Sequence, residues 1–184
     1  NTEMAKKDIK QKFQEFKIGT ELYHENIVKY KYFMRLYDPA KKKHETHLII
    51  EYCDGGHLGN FIRRNKQLTI ELIQRIGGQL ISGINHLHKK KIIHQDIKPG
   101  NVMLTGDQKQ IKIIDMGVSH TLDRTFQVTV SAQMGTQRYR APEQSHDRLS
   151  LRSDIWSFGC VLLELCTGNQ PYQGVESYGI CGQM

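Results

Sequence analysis

The stretch that decides the fold of this chain reads His94-Gln95-Asp96-Ile97-Lys98-Pro99-Gly100-Asn101. A second short motif, Asp115-Met116-Gly117, follows it, and both are bordered by apolar runs that predict short strands. Two carboxylates, a lysine and an amide on two loops suit the attack of a hydroxyl group on a magnesium-bound phosphate. Asp96 is placed to orient the hydroxyl and accept its proton, and Lys98 to neutralise charge on the transferred group. Asn101 and Asp115 supply the oxygen ligands that Mg²⁺ prefers.

Three motifs in the chain resemble the signature set of the eukaryotic protein kinase family. The family's H-R-D-L-x-x-x-N corresponds to residues 94–101, D-F-G to residues 115–117, and A-P-E to residues 141–143. Three linked motifs are far more specific than any one of them. The resemblance implies an α+β, bilobal protein-kinase fold, truncated at both ends.

Two family motifs are missing from the N-terminal part of the chain. It contains no G-x-G-x-x-G, and no V-A-I-K lysine precedes the first predicted helix. The resemblance assigns residues 1–52 to a partial N-terminal lobe with the family's C helix and its fourth and fifth strands. It assigns residues 53–184 to the hinge and a partial C-terminal lobe, from the D helix to shortly after the F helix. We interpret the chain as an internal piece of a kinase domain, and expect it to be inactive by itself.

Periodicity predicts a mixture of helices and short strands. The predicted helices cover residues 3–22, 57–66, 69–89 and 154–165, and the predicted strands cover residues 27–33, 46–52, 92–93, 102–104 and 111–114. Residues 115–143 are polar and predict a mobile surface segment. Gly77 and Gly78 lie inside a predicted helix, where each costs about 1 kcal/mol relative to alanine, and suggest close packing of another backbone.

Composition favours an intracellular protein without a membrane segment. The 184 residues carry a net charge of +7, but the basic residues are scattered and not interleaved with aromatic ones, so nucleic-acid binding is not predicted. The apolar run over residues 158–166 contains Glu164 and is too short to cross a bilayer. No C-x-x-C pair is present, and Cys160 and Cys166 fit buried thiols in a reducing, cytoplasmic setting.

The resemblance points to the serine/threonine class of kinases. Lys98 stands two residues after Asp96, as in that class, and Thr136 lies in a matching G-T-x-x-Y run. In the family this threonine bonds the catalytic aspartate and lysine. Residues 52–56, YCDGG, are similar to the corresponding run of NIMA-related and autophagy-initiating kinases.

The resemblance also implies an ATP site. Ile50 corresponds to the gatekeeper, and the backbone of Glu51 and Cys53 is expected to bond the adenine edge. Leu104, or its neighbour, is expected to cover the other adenine face. Glu15 matches the carboxylate that pairs with the strand lysine, although it could also be one more exposed acid on a charged helix.

Three departures from the family concern the mobile parts of the site. Gly19 replaces an apolar residue that stacks with Tyr30, His94 and Met116, and is expected to leave a gap behind Met116. Met116 replaces the usual phenylalanine, which should soften the preference between active and inactive loop positions. Gln95 replaces an arginine that clamps a phosphate on the activation loop, and glutamine cannot form that charge-assisted pair. The candidate phosphorylation sites on that loop are Thr125, Thr129 and Ser131.

Three further positions carry smaller inferences. Gly100 stands where many basic-substrate kinases keep a glutamate, which argues against a preference for arginine just upstream of the target. Asp154 resembles the aspartate that fastens the catalytic loop. Glu143 resembles the A-P-E glutamate, whose arginine partner is absent here, so we expect it to be unpaired.

The resemblance therefore implies transfer of the γ-phosphate of ATP, with Mg²⁺, to serine or threonine hydroxyls of a protein substrate. A pseudokinase or scaffold that uses the same fold for binding stays open as the alternative. The intact set Asp96, Lys98, Asn101 and Asp115 favours the enzyme. Gly19, Gln95 and Met116 favour the alternative.

Overall fold

The computed structural model describes residues 2–117, 119–121, 128–129, 136–146 and 148–173. Within them the helices are α1 (Thr2–Thr20), α2 (Leu58–Arg64), α3 (Ile70–Lys89) and α4 (Leu151–Thr167). The strands are β1 (Tyr30–Asp38), β2 (Lys43–Ile50), β3 (Ile92–Ile93), β4 (Val102–Leu104), β5 (Ile111–Ile113), β6 (His120–Thr121), β7 (Val128–Thr129) and β8 (Arg148–Leu149). Short 3₁₀ helices cover Pro99–Asn101, Gln137–Tyr139 and Pro142–His146. This mixture confirms the predicted α+β class.

Helix α3 forms the centre of the core because its apolar residues recur every three or four positions. The buried ones include Ile76, Leu80, Ile84 and Leu87. Thr69 caps the helix, since its side chain accepts a hydrogen bond from Leu72 N at 3.4 Å. The helix predicted over residues 69–89 is thus confirmed, together with the segments that predicted α1 and α2.

The sequence suggested that another backbone packs closely against Gly77 and Gly78, and the structure differs. A Cβ on Gly77 would lie 2.9 Å from Cδ2 of Leu162, a side-chain atom of α4. A Cβ on Gly78 would have no atom within 4 Å. The close approach is therefore made by a leucine side chain, and at Gly77 alone of the two.

The β1–β2 hairpin is displaced from its predicted strands toward its turn. It pairs Tyr30 with Ile50 and continues to Asp38 opposite Lys43. Asp38 holds the turn, because its carboxylate accepts hydrogen bonds from the backbone N–H groups of Ala40 and Lys41. The start of the predicted first strand instead forms an isolated parallel bridge between Ile27 and Ile113.

Two small sheets hold the loops that carry the decisive motifs. In the described residues every sheet has two antiparallel strands, and the pairs are β1–β2, β3–β6, β4–β5 and β7–β8. Strands β3 and β4 border the first motif, and β5 ends just before the second. The register sets Val102 opposite Ile113, which brings the two motifs side by side.

Helix α4 begins three residues earlier than predicted because Ser150 and Ser153 form a capping box. It ends at Gly168, whose left-handed φ of 70° lets its N–H bond the Glu164 carbonyl. Cys160 on this helix is buried, but Cys166 is exposed, so its prediction as a buried thiol was wrong. It lies on the exposed side of α4 with Leu163, whereas Leu165 in the same turn is buried.

Much of the polar segment predicted over residues 115–143 lies outside the described residues. Thr125 and Ser131, two candidate phosphorylation sites, lie outside them too, as does Cys181. The third candidate, Thr129, belongs to β7 and is paired with Arg148 in β8. Among the helices of the described ranges, none is long and apolar enough to cross a membrane.

Candidate functional site

Asp96 lies at the centre of a hydrogen-bonded group of four side chains. Its Oδ2 accepts hydrogen bonds from Lys98 Nζ at 2.6 Å and from Asn101 Nδ2 at 2.8 Å. Its Oδ1 accepts one from the backbone N–H of Thr136 at 2.8 Å. Lys98 Nζ also donates to Thr136 Oγ1 at 2.6 Å. The structure therefore brings together four of the residues that the sequence singled out.

Within the described residues, this bonding leaves one direction free on the Asp96 carboxylate and one on the Lys98 ammonium. A carboxylate offers about four lone-pair directions, and three of those on Asp96 are used, so one remains on Oδ1 for a hydroxyl group. An ammonium carries three N–H donors, and two of those on Lys98 are used. The pair can hold a hydroxyl and an anionic oxygen at the same time.

Asn101 is oriented by its own amide donors. Its Nδ2 donates to the Asp96 carbonyl at 2.9 Å as well as to the Asp96 carboxylate. Both N–H bonds of the amide are thus used, and Oδ1 is left as a free acceptor. The Asn101 carbonyl accepts a hydrogen bond from Ile114 N at 3.0 Å, which places Asn101 next to Asp115.

Asp115 projects from a left-handed turn at the end of β5. Its φ is 67°, and its side chain is exposed, with Oδ1 accepting a hydrogen bond from Gly117 N at 3.1 Å. No three His, Cys, Asp or Glu side chains of the described residues form a metal cluster. One amide oxygen and one exposed carboxylate nevertheless fit Mg²⁺, which takes few protein ligands and keeps water and phosphate oxygens.

Asp154 of α4 anchors the loop that carries Asp96. The Asp154 carboxylate is fully buried, and it accepts hydrogen bonds from His94 N and Gln95 N at 2.9 Å each. His88 of α3 contacts the same carboxylate at 2.8 Å. Gln95 has a left-handed φ of 72°, a conformation that costs a non-glycine residue about 1 kcal/mol, and the bond to its N–H holds it there.

The Gln95 side chain is a destabilising feature of this loop. The residue is 5% exposed, and in the part of the chain that the structure describes its Oε1 has no hydrogen-bond partner. An unpaired buried acceptor is unfavourable. The position thus holds a neutral amide where the family keeps a charged arginine.

Thr136 begins a segment that is tied to α4. Tyr139 Oη donates a hydrogen bond to Glu164 Oε2, and the Tyr139 carbonyl accepts one from Ser157 Oγ at 2.7 Å. Burial raises the pKa of the Glu164 carboxyl, although the bond from Tyr139 opposes the rise. Burial and this bond both raise the pKa of Tyr139. Glu143, expected to be unpaired, instead accepts a hydrogen bond from Ser153 Oγ at 3.1 Å, because the capping serine of α4 lies beside it.

Glu15 of α1 lies against the Asp115–Gly117 segment. Its Oε1 accepts a hydrogen bond from Tyr30 Oη at 2.7 Å, and a Cβ on Gly117 would lie 3.2 Å from its Oε2. Burial raises the pKa of the Glu15 carboxyl, the Tyr30 bond opposes the rise, and Asp115 adds to it. Among the described residues, Glu15 forms no ion pair.

The gap expected behind Met116 does not exist. A Cβ on Gly19 would lie 2.2 Å from Cδ2 of Tyr30, so the tyrosine ring lies directly against the helix backbone at this glycine. Met116 itself is 1% exposed. The expectation was wrong because Tyr30 is large enough to occupy the space that Gly19 leaves.

The segment after β2 has the free backbone groups that the hinge assignment needs. Glu51 N donates to the Lys29 carbonyl at 2.8 Å, and the Glu51 carboxylate pairs with buried Lys112 at 3.0 Å. In the described part of the chain, neither the Glu51 carbonyl nor the Cys53 N–H has a partner. The Ile50 side chain is 37% exposed and Cys53 is buried.

Leu104 does not face the place where adenine is expected to bind. It is fully buried in the core, whereas Met103 on the opposite face of β4 is partly exposed. Met103 also forms a bridge with His57 at the start of α2. Of the two candidates for the second adenine face, the geometry favours Met103. Strand alternation alone could have suggested this, but three residues are too few to set the phase.

Three functional contacts had no signal in the sequence. His88 supports Asp154, Lys112 fixes Glu51, and Glu164 holds Tyr139. Each joins residues far apart in the chain, and none belongs to a short motif. The last of them borders a cavity of about 310 Å³ beside the loop that carries Asp96, which Gly100 and Arg63 also line.

The sequence is similar to a large set of known proteins. Residues 1–182 match the family described as protein kinase domain. Probable serine/threonine-protein kinase nek2 of Dictyostelium discoideum is 34% identical over 181 residues, which cover 94% of this chain and 42% of that protein.

Two further relatives give the same result. Serine/threonine-protein kinase Nek5 of Homo sapiens is 32% identical over 84% of this chain and 21% of its own length. Serine/threonine-protein kinase PrkC of Bacillus subtilis is 32% identical over 91% of this chain and 25% of its own length. The chain thus spans less than half of each of these relatives.

Proposed function

Since this chain belongs to the protein kinase domain family, we propose that the protein transfers the γ-phosphate of ATP to serine or threonine hydroxyls of protein substrates. The family match also confirms the predicted kinase fold, which the structure shows as a mixture of helices and small sheets. The observation that carries the proposal is the bonded group of Asp96, Lys98, Asn101 and Thr136, because its free acceptor and donor directions suit this reaction.

Asp96 is the proposed base. The free direction on its Oδ1 accepts the hydrogen bond of the substrate hydroxyl, which turns the hydroxyl oxygen toward the γ-phosphate. Asp96 takes the hydroxyl proton as the new oxygen–phosphorus bond forms and the bond from the γ-phosphorus to the β–γ bridging oxygen breaks, so that ADP leaves. The bonds from Lys98, Asn101 and Thr136 fix the carboxylate plane. Positioning of this kind accounts for much of the rate enhancement in phosphoryl transfer.

Lys98 is the proposed electrostatic partner. Its third N–H donor points away from Asp96 and Thr136 and is available to an oxygen of the transferred group. Thr136 holds the ammonium through its hydroxyl at 2.6 Å. Asn101 Oδ1 and the Asp115 carboxylate are the proposed magnesium ligands, and bound Mg²⁺ supplies neutralising charge for the phosphate oxygens.

The ATP site is proposed on the cleft side of the hinge. The Glu51 carbonyl and the Cys53 N–H bond the adenine edge, Ile50 limits the back of the site, and Met103 covers one adenine face. Glu15 stands where the family's carboxylate pairs with the phosphate-holding lysine. Residues 1–52 then belong to the small lobe, and residues 53–184 to the hinge and the large lobe.

The serine/threonine class is proposed from Lys98, Thr136 and the relatives. The substrate is a protein in an intracellular setting, and no nucleic-acid partner is proposed. Gly100 leaves the cavity beside the catalytic loop without one carboxylate, which disfavours arginine just upstream of the acceptor.

The test is a phosphate-transfer assay on the complete gene product. Purified protein is incubated with radiolabelled ATP, Mg²⁺ and peptide pools that differ only in a serine, threonine or tyrosine acceptor. We expect label on serine and threonine peptides, and a loss of about 10³-fold for Asp96→Asn, since a general base contributes roughly that factor. Asp107→Asn, on an exposed turn, is the matched control.

The pseudokinase alternative has a distinct outcome in the same assay. A protein that binds ATP, as measured by a rise of its melting temperature, but labels no peptide would support that alternative. Equal labelling by wild type and Asp96→Asn would show that a contaminating kinase is responsible.

A further inference from the structure

The Tyr30 side chain lies between α1 and the Asp115–Gly117 segment. The residue is 5% exposed, and its ring lies directly against the α1 backbone at Gly19. A side chain as small as alanine at position 19 would place its Cβ 2.2 Å from this ring. The ring can occupy this place because position 19 has no Cβ.

The Tyr30 hydroxyl forms two hydrogen bonds to different elements. It donates to Glu15 Oε1 at 2.7 Å and accepts from Met116 N at 3.2 Å. A hydroxyl that donates once and accepts once links its two partners directly. Phenylalanine, leucine or methionine at position 30 could fill space but could not form this link.

The Met116 N–H bond matters because of its neighbour in the chain. Asp115 has a left-handed backbone and an exposed side chain, and among the described residues its carboxylate has one hydrogen bond, within its own turn. The Tyr30 hydroxyl is the group that holds the Met116 N–H, while the Met116 carbonyl accepts a hydrogen bond from Ser119 N at 3.1 Å. Gln11 of α1 adds one exposed bond, from Nε2 to the Gly117 carbonyl at 3.2 Å.

We propose that Tyr30 is a positioning residue for the magnesium-binding segment: its ring occupies the space that Gly19 leaves, and its hydroxyl fastens Glu15 to the Met116 backbone. The proposal rests on the proposed function for its effect on phosphoryl transfer. The contact itself joins α1 to the Asp115 turn whatever reaction the site performs.

The first experiment compares Tyr30→Phe with Tyr32→Phe in the complete gene product. Tyr32 lies on the same strand, is 63% exposed, and is the matched control. Hydrogen exchange is measured at the Met116 amide and at the Ile84 amide inside α3. For Tyr30→Phe we expect exchange at Met116 to rise about tenfold or more, the change that loss of one buried hydrogen bond of ordinary strength would give. Exchange at Ile84 should stay unchanged.

Two functional readouts accompany the exchange measurement. The Mg²⁺ concentration for half-maximal Mg·ADP binding should rise about fivefold, and kcat should fall about tenfold with an unchanged peptide KM, because the metal ligand is displaced and the peptide site is not. Values for Tyr30→Phe equal to those for Tyr32→Phe in exchange and in Mg²⁺ dependence would overturn the proposal. If the wild type transfers no phosphate, the proposed function fails. Hydrogen exchange at Met116 and the Mg²⁺ dependence of ADP binding still decide the role of Tyr30.

A second variant separates the ring from the hydroxyl. The double change Gly19→Leu with Tyr30→Leu provides an apolar pair that refills the space without a hydroxyl. We expect it to recover the wild-type melting temperature but to keep the fast exchange at Met116 and the raised Mg²⁺ requirement. Recovery of wild-type exchange and Mg²⁺ dependence would show that the hydroxyl is not needed, and the proposal would be wrong.

Discussion

The loop around Asp96 and the segment around Asp115 supply two halves of one candidate site, but they are held in different ways. The first half rests on Asp154, a fully buried carboxylate that accepts two backbone N–H bonds and contacts His88. The backbone of the second half is held by neutral groups, the Tyr30 hydroxyl, the Gln11 amide and the Ser119 N–H, while the Asp115 side chain is exposed. Charge-assisted bonds are about twice as strong as neutral ones. The first half is thus tied to α3 and α4 through a buried charge, whereas the second, although Met116 is buried in the core, is tied to α1 through neutral bonds to its backbone.

This difference predicts two kinds of failure. A substitution that removes the anchor of the Asp96 loop should lower the stability of the whole domain, because α3, α4 and the loop share the same buried carboxylate. Damage beside Asp115 should alter metal and nucleotide binding with little loss of stability. The following changes, in order of decreasing effect, would break or sharpen this contrast.

The largest effect is expected from Asp154→Ala. The change leaves the N–H groups of His94 and Gln95 buried without a partner, so the free energy of unfolding should fall by about 3 kcal/mol or more. Urea unfolding of the complete gene product measures it. Asp8→Asn is the control, since among the described residues Asp8 forms a surface ion pair with Lys12 at 3.4 Å and no other polar contact, a contact worth less than about 1 kcal/mol. A loss as small as that of the control would contradict the proposed anchoring.

The second prediction concerns Thr136→Ala in the first half. Its hydroxyl accepts a hydrogen bond from Lys98, while the bond to Asp96 comes from its backbone and survives the change. We expect kcat to fall about 10- to 100-fold with a small change in stability. Thr136→Ser is the matched control and should keep most of the activity. If serine and alanine reduce kcat equally, the hydroxyl does not hold Lys98 as described.

The contrast between the halves also explains what the sequence could predict. Asp96, Lys98 and Asn101 lie within one short loop, so their spacing alone limits their geometry. The contact of Gly19 with Tyr30 joins two elements through side-chain volume, which no short pattern encodes. Hence the loop residues were found together as expected, while the space behind Met116 was predicted wrongly.

Local misjudgements had local causes. The phase of β4 could not be set from three residues, so Leu104 was preferred over Met103. Cys166 belongs to the apolar run of α4, but it lies on the exposed side of the helix, as Leu163 does. The hairpin strands extend further than predicted because the Asp38 carboxylate caps the turn.

A smaller effect is expected from Gly100→Glu. A Cβ at Gly100 would have only Lys98 side-chain atoms within 4 Å, the nearest at 3.6 Å, so a larger side chain fits. The added carboxylate borders the cavity that Glu164 also lines. We expect arginine upstream of the acceptor to become favoured by about fivefold, the factor that roughly 1 kcal/mol provides.

Peptide pools that vary one upstream position at a time measure this preference. Gly100→Gln, which has the same shape without the charge, should leave it unchanged. An equal gain with glutamine would mean that the loop around Asp96 had rearranged. That result would contradict the rigidity inferred for this loop.

The smallest effect is the pH dependence contributed by Glu164. Because burial raises its pKa in the folded protein, the folded state favours the protonated form. Its contribution to stability is therefore fully present below the unfolded-state pKa and is lost as the pH rises through the folded-state pKa. Relative to Glu164→Gln, the wild type should lose stability as the pH rises from the ordinary pKa of 4.5 through the raised folded-state pKa.

Glu71 provides the control of opposite sign. Hydrogen bonds from its own backbone N–H and from Thr69 lower its pKa. Its contribution is therefore present above the unfolded-state pKa and is lost as the pH falls through the lowered folded-state pKa. Urea unfolding at a series of pH values should thus give slopes of opposite sign for the wild-type differences from Glu164→Gln and from Glu71→Gln. Two slopes of the same sign would mean that the Tyr139 bond outweighs burial at Glu164, and the bond between α4 and the Thr136 segment would then be stronger than a neutral hydroxyl normally provides.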